Sequence, residues 1–166
     1  MKSWLPILGI MWGLSSILLA EDKPFPKVIP TKLVMDIGGI MRPLYSVEFK
    51  ENLVTYKWTD TSQPQTKDIK TLSIRPGKKA WARFIKEINA AKLYRWSKLY
   101  MNQPGVMDGT HWTVDMKIDG RKFHSEGYNS YPADGDEAKP ANSERSSPPY
   151  NRLCEAVSHL TGQEFR

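Results

Sequence analysis

The strongest constraint in this chain is the pair Asp119-Gly120, which lies between two runs of alternating apolar and polar residues. An Asp-Gly pair favours a type I′ turn, because that turn needs positive φ at both central residues. The turn predicts an antiparallel hairpin over residues 110–127 in which Ile118 faces Arg121. The next predicted pairs are Lys117 with Lys122, Met116 with Phe123, and Asp115 with His124.

The two faces of this hairpin differ in polarity, which predicts which face is buried. One face carries apolar side chains from both strands and is expected to pack in the core. Its residues are Trp112, Val114, Met116, Ile118 and Phe123. The other face is expected to meet water, and its residues are Thr113, Asp115, Lys117, Lys122 and His124.

The other periodic segments predict further strands and two main helices. Alternation favours strands at 32–37, 45–49, 53–58 and 69–74. A helix is expected from Pro76 to about Ala91, and a second from Ser146 or Ser147 to Gly162. Residues 93–100 fit a short helix or an extended segment. The element order predicts an α+β fold, an antiparallel sheet of about five to six strands with two main helices packed on one face.

The chain divides into three parts by composition. Residues 1–20 have the basic start, the apolar run and the terminal alanine of a secretory signal peptide, which predicts a secreted or periplasmic protein. An uncleaved membrane anchor is the alternative, and membrane contact is expected only through that segment. Residues 21–31 are a Pro-rich extended lead-in. Residues 32–166 are expected to form a single domain with a polar loop at about 130–147.

Basic charge is concentrated in one stretch of the 166 residues, whose formal net charge is +6. Residues 67–98 contain ten basic and two acidic side chains, so the rest of the chain has a net charge of −2. Lys79 and Arg83 fall on the polar face of the first helix, with Trp96 and Tyr100 just beyond it. Basic charge beside aromatic rings can bind an anionic polymer, although a solvated helix face explains the same pattern. No specific nucleic-acid motif is present.

Few residues suggest a catalytic or metal-binding role. The single Cys154 rules out an internal disulfide and a cysteine-built zinc site, and it falls on the apolar face of the last helix. Asp115 and His124 are expected to oppose each other across the hairpin, and a small hydrolase-like enzyme could use such a pair. Ser125 is expected on the other face, so these residues do not form a Ser-His-Asp triad. The acidic run at 134–137 lacks the spacing of a calcium loop. We therefore expect no catalytic residues, no metal and no cofactor.

Three stretches form a recognisable pattern. They are Gly38-Gly39 with Tyr45 and Phe49; Trp81-Ala82-Arg83-Phe84 with Trp96 and Tyr100; and Asp108-Gly109-Thr110-His111-Trp112 with Gly127-Tyr128-Asn129-Ser130-Tyr131-Pro132. Over about residues 33–166, the chain resembles a group of uncharacterised small bacterial domains, secreted or lipid-anchored, with a DG-x-x-W strand and a G-x-N-x-YP segment. The resemblance implies a fold and carries no activity. The same residues fit a structural corner or the lining of a recognition site.

These observations favour a secreted or periplasmic binding domain without catalytic activity. An anionic envelope component or a protein partner is the expected ligand. The alternatives are the hydrolase-like enzyme and a purely structural envelope protein. The candidate binding residues are Lys79, Arg83, Trp96, Tyr100, His111, Asn129 and Tyr131.

Overall fold

The computed structural model describes residues 23–39, 44–59, 69–101, 109–141 and 146–165. The strands are β1 (Lys32–Gly39), β2 (Tyr45–Lys50), β3 (Leu53–Trp58), β4 (Lys70–Ile74), β5 (Leu99–Met101), β6 (Thr110–Ile118) and β7 (Arg121–Tyr128). The helices are α1 (Lys78–Ala90) and α2 (Pro148–Thr161). The expected signal segment at 1–20 and residues 142–145 of the polar loop lie outside the described residues.

The seven strands form one sheet in the order β4-β3-β2-β1-β6-β7-β5. Neighbouring strands are antiparallel except β5 and β7, which are parallel. The α+β class is therefore confirmed, but the sheet has seven strands where five to six were expected, and one of its pairings is parallel. The added strand comes from the ambiguous segment 93–100, where a 3-10 turn at Leu93–Arg95 precedes β5.

The hairpin of β6 and β7 has the register that the Asp119-Gly120 turn predicts. Ile118 pairs with Arg121, and Asp115 pairs with His124 three steps along the ladder. Asp119 and Gly120 have φ values of 48° and 75°, as a type I′ turn requires. A short local signal therefore determines which side chains of this hairpin share a face.

Alternate residues of the sheet are buried under both helices, which gives the sheet a covered face and an open face. Trp81 of α1 contacts Phe49 of β2, and Tyr150 of α2 contacts Trp112 of β6. The open face carries the intervening residues, which are half-buried or exposed. This arrangement separates the sheet into a packed side and a side that meets solvent.

Both helices end close to the predicted residues, whereas α1 begins at Lys78 and not at the predicted Pro76. α1 ends at Ala90, and Gly162 closes α2 in the left-handed conformation with φ 67°. Cys154 of α2 is 7% exposed, and burial raises the pKa of its thiol to about 12. The thiol is therefore protonated at neutral pH and is not an activated nucleophile.

The Pro-rich lead-in is joined to the domain by one buried aromatic residue. Phe25 is 4% exposed and packs edge-on against Tyr94 and Phe123. The Asn89 side-chain amide accepts a hydrogen bond from the Phe25 N–H at 2.8 Å and donates to its carbonyl at 2.9 Å. Residues 23–31 form neither a helix nor a strand, and Phe25 belongs to the core cluster.

Candidate functional site

Trp112 of β6 is the centre of an aromatic cluster on the covered face. Its ring centroid lies 5.7 Å from that of Trp96 and 5.9 Å from that of Tyr100. The Tyr150 ring is 5.3 Å away and the Tyr131 ring 6.5 Å away. Each of these five side chains is at most 6% exposed. The cluster therefore belongs to the core.

Three of the candidate binding residues are thus not available to a ligand. Trp96 and Tyr100 are buried because β5 brings them onto Trp112, and Tyr131 is buried between Trp112 and Tyr150. The Trp96 indole N–H donates to the Ala91 carbonyl at 3.1 Å. The expected surface position of Trp96 and Tyr100 beside the basic helix is therefore wrong, and so is the expected surface position of Tyr131 beside His111 and Asn129.

Tyr100 also joins β5 to the polar loop. Its hydroxyl accepts a hydrogen bond from the Ser97 N–H at 2.8 Å and donates one to the Glu137 carbonyl. Burial raises the pKa of Tyr100 to about 12, so the hydroxyl stays protonated and keeps its donor. These bonds are structural.

The residues of the G-x-N-x-YP pattern form a corner beside the end of β6. Asn129, with φ 47°, accepts a hydrogen bond from the Thr110 N–H at 2.7 Å through its Oδ1. Its own N–H donates to the Thr110 carbonyl at 2.9 Å. A Cβ on Gly109 would lie 1.8 Å from the Asn129 amide, so glycine is needed there. The geometry agrees with the structural corner.

His111 lies on the open face, where it stacks on Tyr128. The two ring centroids are 4.2 Å apart with an interplanar angle of 14°. His111 Nε2 is 3.8 Å from a Glu126 carboxylate oxygen. Leu99 and Met101 of β5 continue the same end of the open face and are 46% and 62% exposed. His111 is thus part of a mixed surface at one edge of the sheet.

The expected pair of Asp115 and His124 is present on the open face. Asp115 Oδ1 lies 3.0 Å from His124 Nδ1, and both side chains are more than 40% exposed. Ser125 points to the covered face and donates to the Ser97 carbonyl at 2.7 Å. Ser125 therefore cannot act as a nucleophile that His124 activates.

Lysines from three neighbouring strands meet on the open face beside this pair. Lys32 of β1 pairs with Lys117 of β6, which pairs in turn with Lys122 of β7. With Lys98 they line a groove of about 420 Å³, which we call the lysine groove, together with Asp115 and His124. Among the described residues, none of the four ammonium groups is within ion-pair distance of a carboxylate.

Sequence reasoning found part of the lysine groove and missed the rest. The hairpin turn predicts that Lys117 and Lys122 oppose each other. Lys32 joins them only through the pairing of β1 with β6, which no local signal predicts. The sequence therefore predicts that Lys117 and Lys122 are neighbours on the solvent-exposed face of the hairpin. It does not predict the row of lysines across three strands.

The predicted basic face of α1 is exposed and partly neutralised. Lys79 has no ion pair among the described residues and lies at the surface. Arg83 Nε bonds Glu87 at 2.7 Å, and an Arg83 guanidinium nitrogen lies 2.8 Å from His159 of α2. Arg83 thus takes part in a polar contact between the two helices, which reduces the net charge of that surface.

One member of the acidic loop run is buried. Glu137 is 2% exposed, and its carboxylate is 2.9 Å from Lys92 Nζ and 3.8 Å from Arg95. Burial alone would raise the pKa of Glu137, but the hydrogen bond and charge of Lys92 hold it below its usual range. The acidic run at 134–137 is therefore not wholly exposed to solvent, because Glu137 is buried in an ion pair.

Within the described ranges, no group of three or more His, Cys, Asp or Glu side chains is arranged to hold a metal ion. The helices found in the same ranges are too short or too polar to cross a membrane. Comparison of the sequence with protein-family models gives no match, and comparison with curated proteins gives none either.

Proposed function

We propose that this chain is a secreted or periplasmic binding domain without catalytic activity, and that its ligand is an anionic component of the cell envelope. The lysine groove is the observation that carries the proposal. Its four ammonium groups come from β1, β6, β7 and the residue before β5, so the fold itself brings them together. A resemblance to uncharacterised secreted or lipid-anchored bacterial domains agrees with this location.

The electrostatics of the groove favour an anion. Like charges directly opposite each other across strands destabilise a sheet. Lys32, Lys117 and Lys122 form such a row, with no carboxylate at ion-pair distance among the described residues. A phosphate-bearing ligand would relieve this repulsion and gain charge-assisted hydrogen bonds. Ligand binding thus explains a charge arrangement that costs folding stability.

Vesicle co-sedimentation tests the proposal with phosphatidylcholine vesicles that contain or lack phosphatidylglycerol. We expect binding only to the anionic vesicles, and weaker binding as salt rises. Lys117→Glu/Lys122→Glu is expected to weaken binding at least tenfold. The matched control, Lys27→Glu/Lys57→Glu, has the same net charge but leaves the groove intact, and should bind as the parent does.

Two outcomes contradict the proposal. If the control loses as much affinity as the groove variant, then net charge and not the groove is responsible. If Lys79→Glu/Arg83→Glu abolishes binding while the groove variant keeps it, then the outer face of α1 is the binding surface.

A hydrolase-like enzyme is the second candidate, since Asp115 holds the His124 imidazole at 3.0 Å. It requires a nucleophile or an activated water beside His124. His124→Gln separates the two functions, because it removes the base and leaves all four lysines in place. Hydrolysis of an ester or phosphoester substrate that disappears in His124→Gln would favour the enzyme.

A further inference from the structure

His124 of β7 lies inside the lysine groove, on the open face of the sheet. It lines the groove together with Lys98, Lys117 and Lys122. The His124 side chain is 44% exposed, so a ligand can reach the imidazole from solvent. An anion that contacts these lysines therefore also contacts His124, and the charge of this ring affects how tightly the anion binds.

Asp115 determines which ring nitrogen of His124 is left for a ligand. The Nδ1 atom lies 3.0 Å from Asp115 Oδ1, and an ionised carboxylate only accepts hydrogen bonds, so Nδ1 carries a proton and donates it. Among the described residues, His124 has no other hydrogen-bond partner. Nε2 is therefore the nitrogen that remains for a ligand. It is an acceptor in the neutral ring and a donor in the protonated ring.

The protonation of Nε2 matters for a phosphate ligand, because the charged oxygens of a phosphodiester only accept hydrogen bonds. Beside a neutral His124, the Nε2 lone pair faces these oxygens and repels them. Beside a protonated His124, the Nε2–H group donates a charge-assisted hydrogen bond to the same oxygens. Proton uptake by the ring therefore favours binding of the anion, and binding favours proton uptake by the same factor.

The charged groups around His124 act in both directions, and a bound anion changes their balance. Asp115 favours the imidazolium. Glu126, two residues along the same face of β7, also favours it, although its carboxylate is shared with His111, 3.8 Å away. Like-charge repulsion opposes the imidazolium, and it comes from Lys32, Lys98, Lys117 and Lys122. A phosphate in the groove neutralises these lysines and leaves Asp115 in place, so it favours protonation of the ring.

We infer that His124 is a fifth cationic contact of the lysine groove, formed when an anionic ligand binds and the imidazole takes up a proton from solvent. The inference rests on the proposed function and extends it, because it makes the affinity of the groove for phosphate depend on pH. Histidine is the side chain whose charge normally changes between pH 5 and pH 8. The groove should therefore hold its ligand more tightly in mildly acidic surroundings than at neutral pH.

Co-sedimentation with phosphatidylglycerol vesicles at about pH 5 and about pH 8, at constant ionic strength, tests the inference. Phosphatidylglycerol is a suitable probe, because its phosphodiester keeps the same charge across this range. The parent protein is expected to bind about five- to tenfold more tightly at the lower pH. His124→Gln should lose this increase. The matched control is His159→Gln, which changes a histidine between the two helices and should keep the increase.

Calorimetry measures the proton directly. Titration of the protein with the same vesicles near pH 7, in two buffers of different ionisation enthalpy, gives the number of protons taken up on binding. The parent and His159→Gln should take up a measurable fraction of a proton, and His124→Gln should take up clearly less. Equal uptake by the parent and His124→Gln would overturn the inference.

The vesicle measurements separate failure of the inference from failure of the proposed function. If the parent binds anionic vesicles equally well at both pH values, the inference is overturned and the proposed function stands. If the increase survives in His124→Gln and disappears in His111→Gln, then another histidine takes up the proton, which also overturns the inference. Absence of binding to anionic vesicles at both pH values would overturn the proposed function, and the inference with it.

Discussion

The two faces of the sheet are built from the same strands and yet differ in almost every property. On the covered face, Trp112 contacts four aromatic rings, and its indole N–H donates to the Ser130 carbonyl at 3.0 Å. On the open face, Lys117 lies directly between Lys32 and Lys122 without an ion-pair partner among the described residues. Stability is therefore concentrated on one face, and unneutralised charge on the other.

This difference shows why aromatic and basic residues that are close in sequence need not act together. Strand alternation sends Tyr100 to the covered face and its neighbours Leu99 and Met101 to the open face. A binding surface predicted from residues that are close in sequence therefore combines buried side chains of the covered face with exposed side chains of the open face.

The largest effect is expected from Trp112→Ala. The substitution removes a fully buried side chain from the centre of the aromatic cluster, and should lower the free energy of unfolding by about 3–5 kcal/mol. Tyr128→Ala on the open face should cost about 0.5 kcal/mol or less. Urea denaturation monitored by circular dichroism measures both. Similar losses in the two variants would contradict the contrast between the faces.

Gly127→Ala tests how closely the covered face is packed. Gly127 pairs with Trp112, and an added Cβ would lie 2.4 Å from both the Trp112 indole nitrogen and the Ser130 carbonyl oxygen. We expect a loss of about 2–3 kcal/mol in the free energy of unfolding. Gly77→Ala is the control, because a Cβ there meets nothing within 4 Å. If Gly127→Ala leaves the free energy of unfolding unchanged, then Trp112 and Ser130 do not pack closely against Gly127.

Glu137→Gln tests the buried charge pair that joins the polar loop to the segment after α1. It removes the charge that Lys92 neutralises, and should cost about 1–2 kcal/mol at pH 7. Because the folded-state pKa of Glu137 lies below its usual 4.5, the stabilisation is present above that pH and is lost as pH falls below it. The difference between parent and variant should therefore shrink on acidification. A difference that is constant from pH 7 to pH 3 would contradict the assignment.

The smallest effect on stability is expected on the open face, and it has the opposite sign. Lys117→Glu places a carboxylate between Lys32 and Lys122, and should raise the free energy of unfolding by about 0.2–1 kcal/mol. The same variant should bind anionic vesicles more weakly. Lys57→Glu on β3 is the matched control. If Lys117→Glu destabilises the protein, then the lysine row is not a strained arrangement.

The elements that could be predicted from sequence are those with a local cause. The Asp119-Gly120 turn determines the register of β6 and β7 without help from the rest of the chain. The apolar period of α1 predicts its buried residues, Trp81, Phe84, Ile85 and Ile88. Gly162 likewise marks the end of α2 through a backbone conformation that favours glycine.

The features that sequence reasoning missed depend on contacts between distant segments. β5 is three residues long and pairs in parallel with β7, so its own sequence carries almost no strand signal. Trp96 and Tyr100 were placed at the surface because their neighbours are basic, whereas Trp112 determines their position. Glu137 is buried only because Lys92 and Arg95 lie beside it after folding.

The central position of β1 has a consequence for the order in which the chain can fold. β2, β3 and β4 follow β1 as antiparallel neighbours, but its other edge pairs with β6, about 80 residues later in the chain. Closing so long a loop is slow relative to forming hairpins. The pairing of β1 with β6 therefore cannot be completed until β6, which ends at Ile118, has been synthesised. During synthesis, this late joining of the two halves keeps the sheet incomplete until most of the chain has been made.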